Sequence, residues 1–302
     1  MMDRRAFLAL PGALWAASPL VDLAVIDRQR ILTAADKYLK EHPITVTASS
    51  SPRSTGGKHD FFSEGDYWWP DPANPTGPYL QKDGMTNPGN FVQHRRAMVR
   101  LSLHVPALTA AFLITKKRKY AGHAAQHLKA WFIDKSTRMS PNLLFAQAIK
   151  VRFTGRGIGI IDTLHLVEVA RAAGFLANVN VRPWFAQYAN WMTTHPYGHA
   201  ERDAKNNHGT CWTMQVAEFA RYPKNTELLA LCRDRFKTLH VPGQIGTDVA
   251  FRWSLGVPSL TATRSLIWKQ WLASAKSCRP RRTTCGTSKL PTAAACAKPW
   301  NI

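Results

Sequence analysis

From residue 91 to residue 239 the apolar side chains recur at helical spacing, and no stretch before residue 240 alternates as a half-buried strand must. The pattern predicts a helix over 27–42, with Ile31, Leu32, Ala35 and Leu39 on one face. It predicts six more over 91–115, 119–134, 158–174, 183–194, 208–222 and 225–239. The second of these six would bury Tyr120, Ala124, Leu128, Trp131 and Phe132, and the fourth Trp184, Tyr188 and Trp191. Gly174 supplies a helix stop and Asn225 a helix start. Successive helices joined by medium loops predict an all-α fold of stacked helical hairpins. The exception is 43–90, rich in Pro, Gly, Ser and Asp, which reads as a long ordered loop. Loops of that length inside compact domains are usually functional.

The chain's 302 residues, 45% of them hydrophobic, suffice for a full core without disulfide or metal staples. Its 40 Lys and Arg against 19 Asp and Glu leave a formal charge of +21, a field that attracts polyanions. Nucleic acid, an anionic membrane and an acidic polysaccharide all satisfy that field. The five cysteines form no CxxC pair and no Cys/His spacing of a zinc site, so neither metal nor cofactor is expected. Arg4 and Arg5 precede a short apolar run, which reads as an export signal of the twin-arginine kind over residues 1–25. The run is interrupted by Pro11 and Pro19 and is too short to span a bilayer, so no membrane span is expected. A periplasmic or secreted protein rarely meets nucleic acid, which leaves acidic polysaccharide as the expected partner.

Four segments carry candidate chemistry. In HDFFSEGDYWWPDP, Tyr67, Trp68 and Trp69 stand among carboxylates and prolines, and aromatic faces stack on sugar rings. The competing reading is a loop plug with those rings buried. In NNHGT, Asn206, Asn207 and His208 sit at a helix start, where backbone donors converge on anions. An imidazole there can act as base near neutral pH, and an Asn amide can donate to a carboxylate. SPNLLFAQAI contributes Asn142 and Gln147, and GRGIGIID contributes Arg156 in a glycine-rich turn. Arginine is a natural partner of a uronate carboxylate. The glycines match neither phosphate-loop nor dinucleotide spacing. A glycoside hydrolase would need two facing carboxylates, for which Glu64, Asp66 and Asp162 are the candidates.

These four segments in this order resemble the alginate lyase-like family of bacterial polysaccharide lyases, over about residues 34–248. The resemblance implies an α/α toroid, a periplasmic location and β-elimination on a uronic acid polymer such as alginate or glucuronan. It implies that Asn207 binds the uronate carboxylate, and that His208 assists there or acts as base. It places Asn142, Gln147 and Arg156 along the cleft, with Trp68 and Trp69 near the sugar.

The tail departs from the family. Asp248 is the last acidic residue, and the 54 residues after it hold nine Lys and Arg. Family members carry there a stretch resembling DGSFPLELGRTKPYGYSLFNLEAMAG, whose Arg and Tyr complete the active site. Here the aligned positions are Val257 and Thr261 or Thr263. One base restored after the codon of Asp248 allows the same bases to read DGSFPLELGRT and onward in the family's pattern. Residues 249–302 are therefore expected to be frameshifted and poorly ordered, the toroid truncated and turnover impaired. A non-catalytic polysaccharide binder and a hydrolase on an α/α toroid are the alternatives.

Overall fold

A computed structural model describes residues 27–244. The expected export signal over 1–25 and the anomalous tail over 249–302 lie outside the described residues. The described residues are 55% helix and 7% strand with no closed sheet among them, which bears out the all-α class. In chain order the helices are α1 (Arg28–Tyr38), α2 (Gln93–Thr115), α3 (Arg118–Phe132), α4 (Leu166–Ala173), α5 (Arg182–Thr194), α6 (Pro196–Arg202), α7 (Asn207–Arg221), α8 (Thr226–Arg235) and α9 (Val241–Gln244). Two compact units divide them, the first ending at Trp184 and the second beginning at Phe185.

In the first unit α2 is the hub, packed against α1, α3 and α4. Its Met98, Leu101, Val105 and Leu108 are buried, as are Leu128 and Trp131 of α3. By length and composition α2 could cross a membrane. Its buried apolar face and the arginines Arg95, Arg96 and Arg100 fit a core helix instead. The region 43–90 does hold strands, which the periodicity did not show. They are β1 (Phe62–Glu64), β2 (Trp68–Trp69) and β3 (Leu80–Gln81); β4 (Phe145–Ala148) follows α3. β1 pairs in parallel with β4, and β2 in antiparallel with β3. Two to four residues are too few for alternation to register. The helix expected over 158–174 is instead a 3-10 turn, Gly157–Thr163, followed by α4.

In the second unit α7 is buried all round from Gly209 to Ala220. It packs against α6 and α8, and its Phe219 meets Phe185 and Tyr188 of α5. The short helix α6 was not foreseen; Pro196 opens it and the His195 side chain caps it by accepting from the Tyr197 amide. Past α8 the chain passes through a π turn, Phe236–His240.

A histidine cluster lies among α1, α2 and α3. Tyr38 stacks on His104, His104 meets His127 edge-on at 5.2 Å, and His127 meets His123 at 5.1 Å. Burial, with Arg100 close by, pulls His104 down from 6.5 to about 4. Burial, with His104 and His123 as neighbours, pulls His127 down to about 3. Both are neutral when folded at neutral pH, and the unfolded chain takes up their protons first. Their contribution to stability is therefore whole above the ordinary histidine pKa and is lost as pH falls from there toward the folded values. The loss amounts to about 1.4 kcal/mol per pH unit for each histidine. Thermal midpoints measured between about pH 7 and about pH 4 should fall, and His104→Asn should flatten that slope. An unchanged slope in the variant would remove His104 from the account.

Candidate active site

In the first unit the site is built around one buried carboxylate. Asp162, in the 3-10 turn, receives the Ser63 hydroxyl on Oδ2 and the Gln147 amide on Oδ1 at 3.3 Å. The Arg95 guanidinium pairs with it at 3.2 Å and with Asp66 at 2.5 Å. Burial pushes the Asp162 carboxyl up, and Arg95, Ser63 and Gln147 oppose that push. Ser63 also accepts the Gln147 amide N–H at 2.8 Å, which locks β1 to β4. Gln147 itself holds a left-handed backbone, φ 56°, a conformation uncommon for a residue with a side chain. Such strain persists only where its surroundings enforce it, and it clusters at functional sites.

That geometry serves Arg156. Its Nε donates to the Gln147 carbonyl at 2.8 Å, and its Nη2 approaches Gln147 Oε1 at 3.4 Å. No carboxylate pairs with Arg156 among the described residues, although burial pulls its pKa down against the more distant Asp162 and Asp66. A half-buried guanidinium held by neutral oxygens keeps its charge for an incoming anion. Beside it stands Trp68. A Cβ added at Gly65 would lie 2.6 Å from the Trp68 ring and 3.0 Å from Arg156 Nη2, so this glycine is what lets the two approach. The Arg152 guanidinium sits 5.4 Å from the centre of the Trp68 ring, a cation–π pair the sequence did not point to.

The other expected residues of this unit are placed less distinctively. Tyr67 is exposed, and Trp69 is half-buried, donating to the Met85 carbonyl at 2.8 Å with Lys82 over its ring. The loop-plug reading fits Trp69 better than Tyr67. Asn142 uses its side-chain oxygen within its own turn, accepting from the Leu144 amide. A cavity of about 490 Å³ opens along residues 47–60 and His94 and touches none of the expected site residues.

In the second unit Asn206 is the N-cap of α7, its Oδ1 accepting from the His208 amide at 3.1 Å. Asn207 opens the helix, and its side-chain amide has no hydrogen bond among the described residues. His208 is fixed from behind: its Nδ1 lies 2.7 Å from Oε1 of Glu201, which is 3% exposed. Gly209 fits under the Ala204 carbonyl, where a Cβ would come within 2.2 Å of that oxygen, so the turn between α6 and α7 closes tightly. Glu201 is the residue that sequence reasoning missed; seven positions before His208, it belongs to a helix the periodicity did not show.

The three carboxylates that a hydrolase would need are committed elsewhere. Glu64 is clasped by Arg53 at 2.7 and 2.6 Å and accepts the Phe91 amide, while Asp66 and Asp162 share Arg95. No pair of them is left facing an open space as acid and base.

The profile of the alginate lyase family matches residues 45–249. The chain belongs to the alginate lyase family. A crystal structure of an alginate lyase from Bacteroides ovatus matches with a TM-score of 0.76 and 31% identity, over 86% of this chain and 71% of that one. No curated protein matches. By family the protein is a polysaccharide lyase, and its four sequence segments all fall inside the matched range.

Gly65→Ala should displace Trp68 or Arg156 while leaving the fold intact, seen as a change in tryptophan fluorescence with a small change in melting temperature. Asp162→Ala leaves Arg95 paired with Asp66 but takes the acceptor from the Ser63 hydroxyl and the Gln147 side-chain amide, and should cost about 1–3 kcal/mol in chemical denaturation. A loss below about 1 kcal/mol would show that the buried carboxylate is not what holds β1, β4 and the 3-10 turn together.

Proposed function

We propose that this lyase cleaves a uronic acid polymer, alginate or glucuronan, by β-elimination. The observation that carries the reading is the division of labour among its charged groups. Glu64, Asp66 and Asp162 are spent on arginines, whereas Arg156 and the Asn207–His208 pair remain available to an anionic sugar. Neutralising the uronate carboxylate acidifies the proton on carbon 5. A base then takes that proton, and the oxygen on carbon 4 leaves with a proton from an acid. In this reading Asn207 donates to the carboxylate and His208 assists there or acts as base. Arg156, Gln147 and Asn142 contact the chain, Asn206 shapes the helix start, and Tyr67, Trp68 and Trp69 offer ring faces to the sugars. The net charge of +21 gathers such a polymer from solution.

The reading extends to three matters of sequence. Residues 1–25 act as an export signal, so the lyase works in the periplasm or outside the cell. Residues 26–248 form the lyase domain. Residues 249–302 are out of the family's reading frame, which is supported by a family match that ends at residue 249. Without the family's Arg and Tyr, most turnover is lost, because members of a catalytic unit do not act additively. What remains binds the polymer.

The unsaturated uronate product absorbs in the ultraviolet, so incubation with alginate and with glucuronan reports elimination directly. The frame-repaired protein should generate that absorbance, and His208→Ala within it should lower the rate by roughly 100-fold or more. New reducing ends without absorbance would point to hydrolysis. A repaired protein no faster than this chain would sink the account of the tail.

A further inference from the structure

The site contains a positioning group that neither the sequence motifs nor the family match singles out. We propose that Glu201 sets the tautomer of His208, leaving Nε2 as the imidazole nitrogen that meets the substrate. This inference rests on the lyase reading for its purpose, but not for its geometry.

A carboxylate oxygen 2.7 Å from Nδ1 can only accept, so the proton on the ring must sit on Nδ1. The other ring nitrogen then carries the lone pair, and no hydrogen bond engages it among the described residues. A neutral His208 in this state takes a proton at Nε2 and cannot give one there. It becomes a donor from Nε2 only as the imidazolium, whose charge Glu201 balances at contact distance. The two roles left open for His208 thus become successive states of one group. Neutral His208 accepts a proton at Nε2. Protonated His208 then offers that same N–H to the uronate carboxylate or to the departing oxygen.

The surroundings hold this pair in register. Glu201 is buried, which costs several kcal/mol per ion unless partners compensate. His208 is anchored at its other end, because its backbone N–H donates to Asn206. The turn that joins them is pinned twice more. Arg202 clasps Asp203 through two hydrogen bonds of 2.8 and 2.7 Å, and Arg235 of α8 donates to the Arg202 carbonyl at 2.6 Å. Arg235 lies over Trp212 of α7, so the same cation links both helices to the turn. Neither partner can swing away without breaking these contacts. The arrangement parallels the general logic by which a second group orients a base and fixes which nitrogen reacts.

Nitrogen NMR of the full chain with labelled histidine reads the tautomer directly, and His208→Ala assigns the signal. The expected result is a neutral His208 protonated on Nδ1. Glu201→Ala should return it to the Nε2–H form that free imidazole prefers. Glu201→Gln, whose amide oxygen still accepts, should keep Nδ1–H. Circular dichroism confirms that each variant is folded, and should Glu201→Ala fail to fold, the unmodified chain and Glu201→Gln still decide. In the product assay with the frame-repaired protein, Glu201→Gln should lower kcat by roughly 10- to 100-fold and leave KM within about twofold, since it removes balancing charge without removing a substrate contact. A proton found on Nε2 in the unmodified chain, or a tautomer unmoved by Glu201→Ala, overturns the proposal. A chain that shows the Nδ1–H tautomer but whose frame-repaired form never makes unsaturated product would overturn the lyase reading and leave the assignment of Glu201 standing.

Discussion

A carboxylate taken out of water must be paid back in contacts, and in the first unit that carboxylate is Asp162. Arg95 comes to it from α2, Ser63 from β1 and Gln147 from β4, so three separated segments meet because one charge needs donors. The consequences spread outward. Ser63 and Gln147 join the two strands, Gln147 is bent into its left-handed conformation, and its oxygens turn toward Arg156. A surface loop of the same composition would leave Arg156 to wander. Here the cation's position follows from a buried anion that it does not touch.

The second unit uses the same device on a smaller scale. Glu201 is buried, and an imidazole lies at contact distance from it. An arginine would have made a permanent ion pair of no chemical use. A histidine can exchange its proton, so the pair stores a reactive state rather than only a contact. The helix N-terminus next to it favours negative charge at its mouth, where Asn207 stands.

Much of this was legible in the residues. Helix positions followed from the spacing of large apolar side chains, since each helix hides one face and the buried face sets the period. Asn225 does cap α8, with its side chain accepting from the Leu228 amide. The failures share a cause. The strands at 62–64, 68–69, 80–81 and 145–148 are too short to write a pattern, and α6 buries few residues. In the 3-10 turn at 157–163, Gly159 packs closely against Ala146, thirteen positions earlier in the chain. Local sequence has no means to announce such partners.

The sequence by itself determined the helical class, the positive field and the family, because these depend on residue type and on periodic order along the chain. Only the tertiary structure decided which charged groups remain available. Six acids and bases, Glu64, Asp66, Asp162, Arg95, Arg156 and Glu201, look alike as letters. Burial and proximity give them different tasks: Arg95 and Arg53 neutralise acids, Arg156 keeps its charge, and Glu201 spends its own on His208. A charge has no assigned partner until folding brings one within a few ångströms, and in a medium poorer in water that distance governs its chemistry.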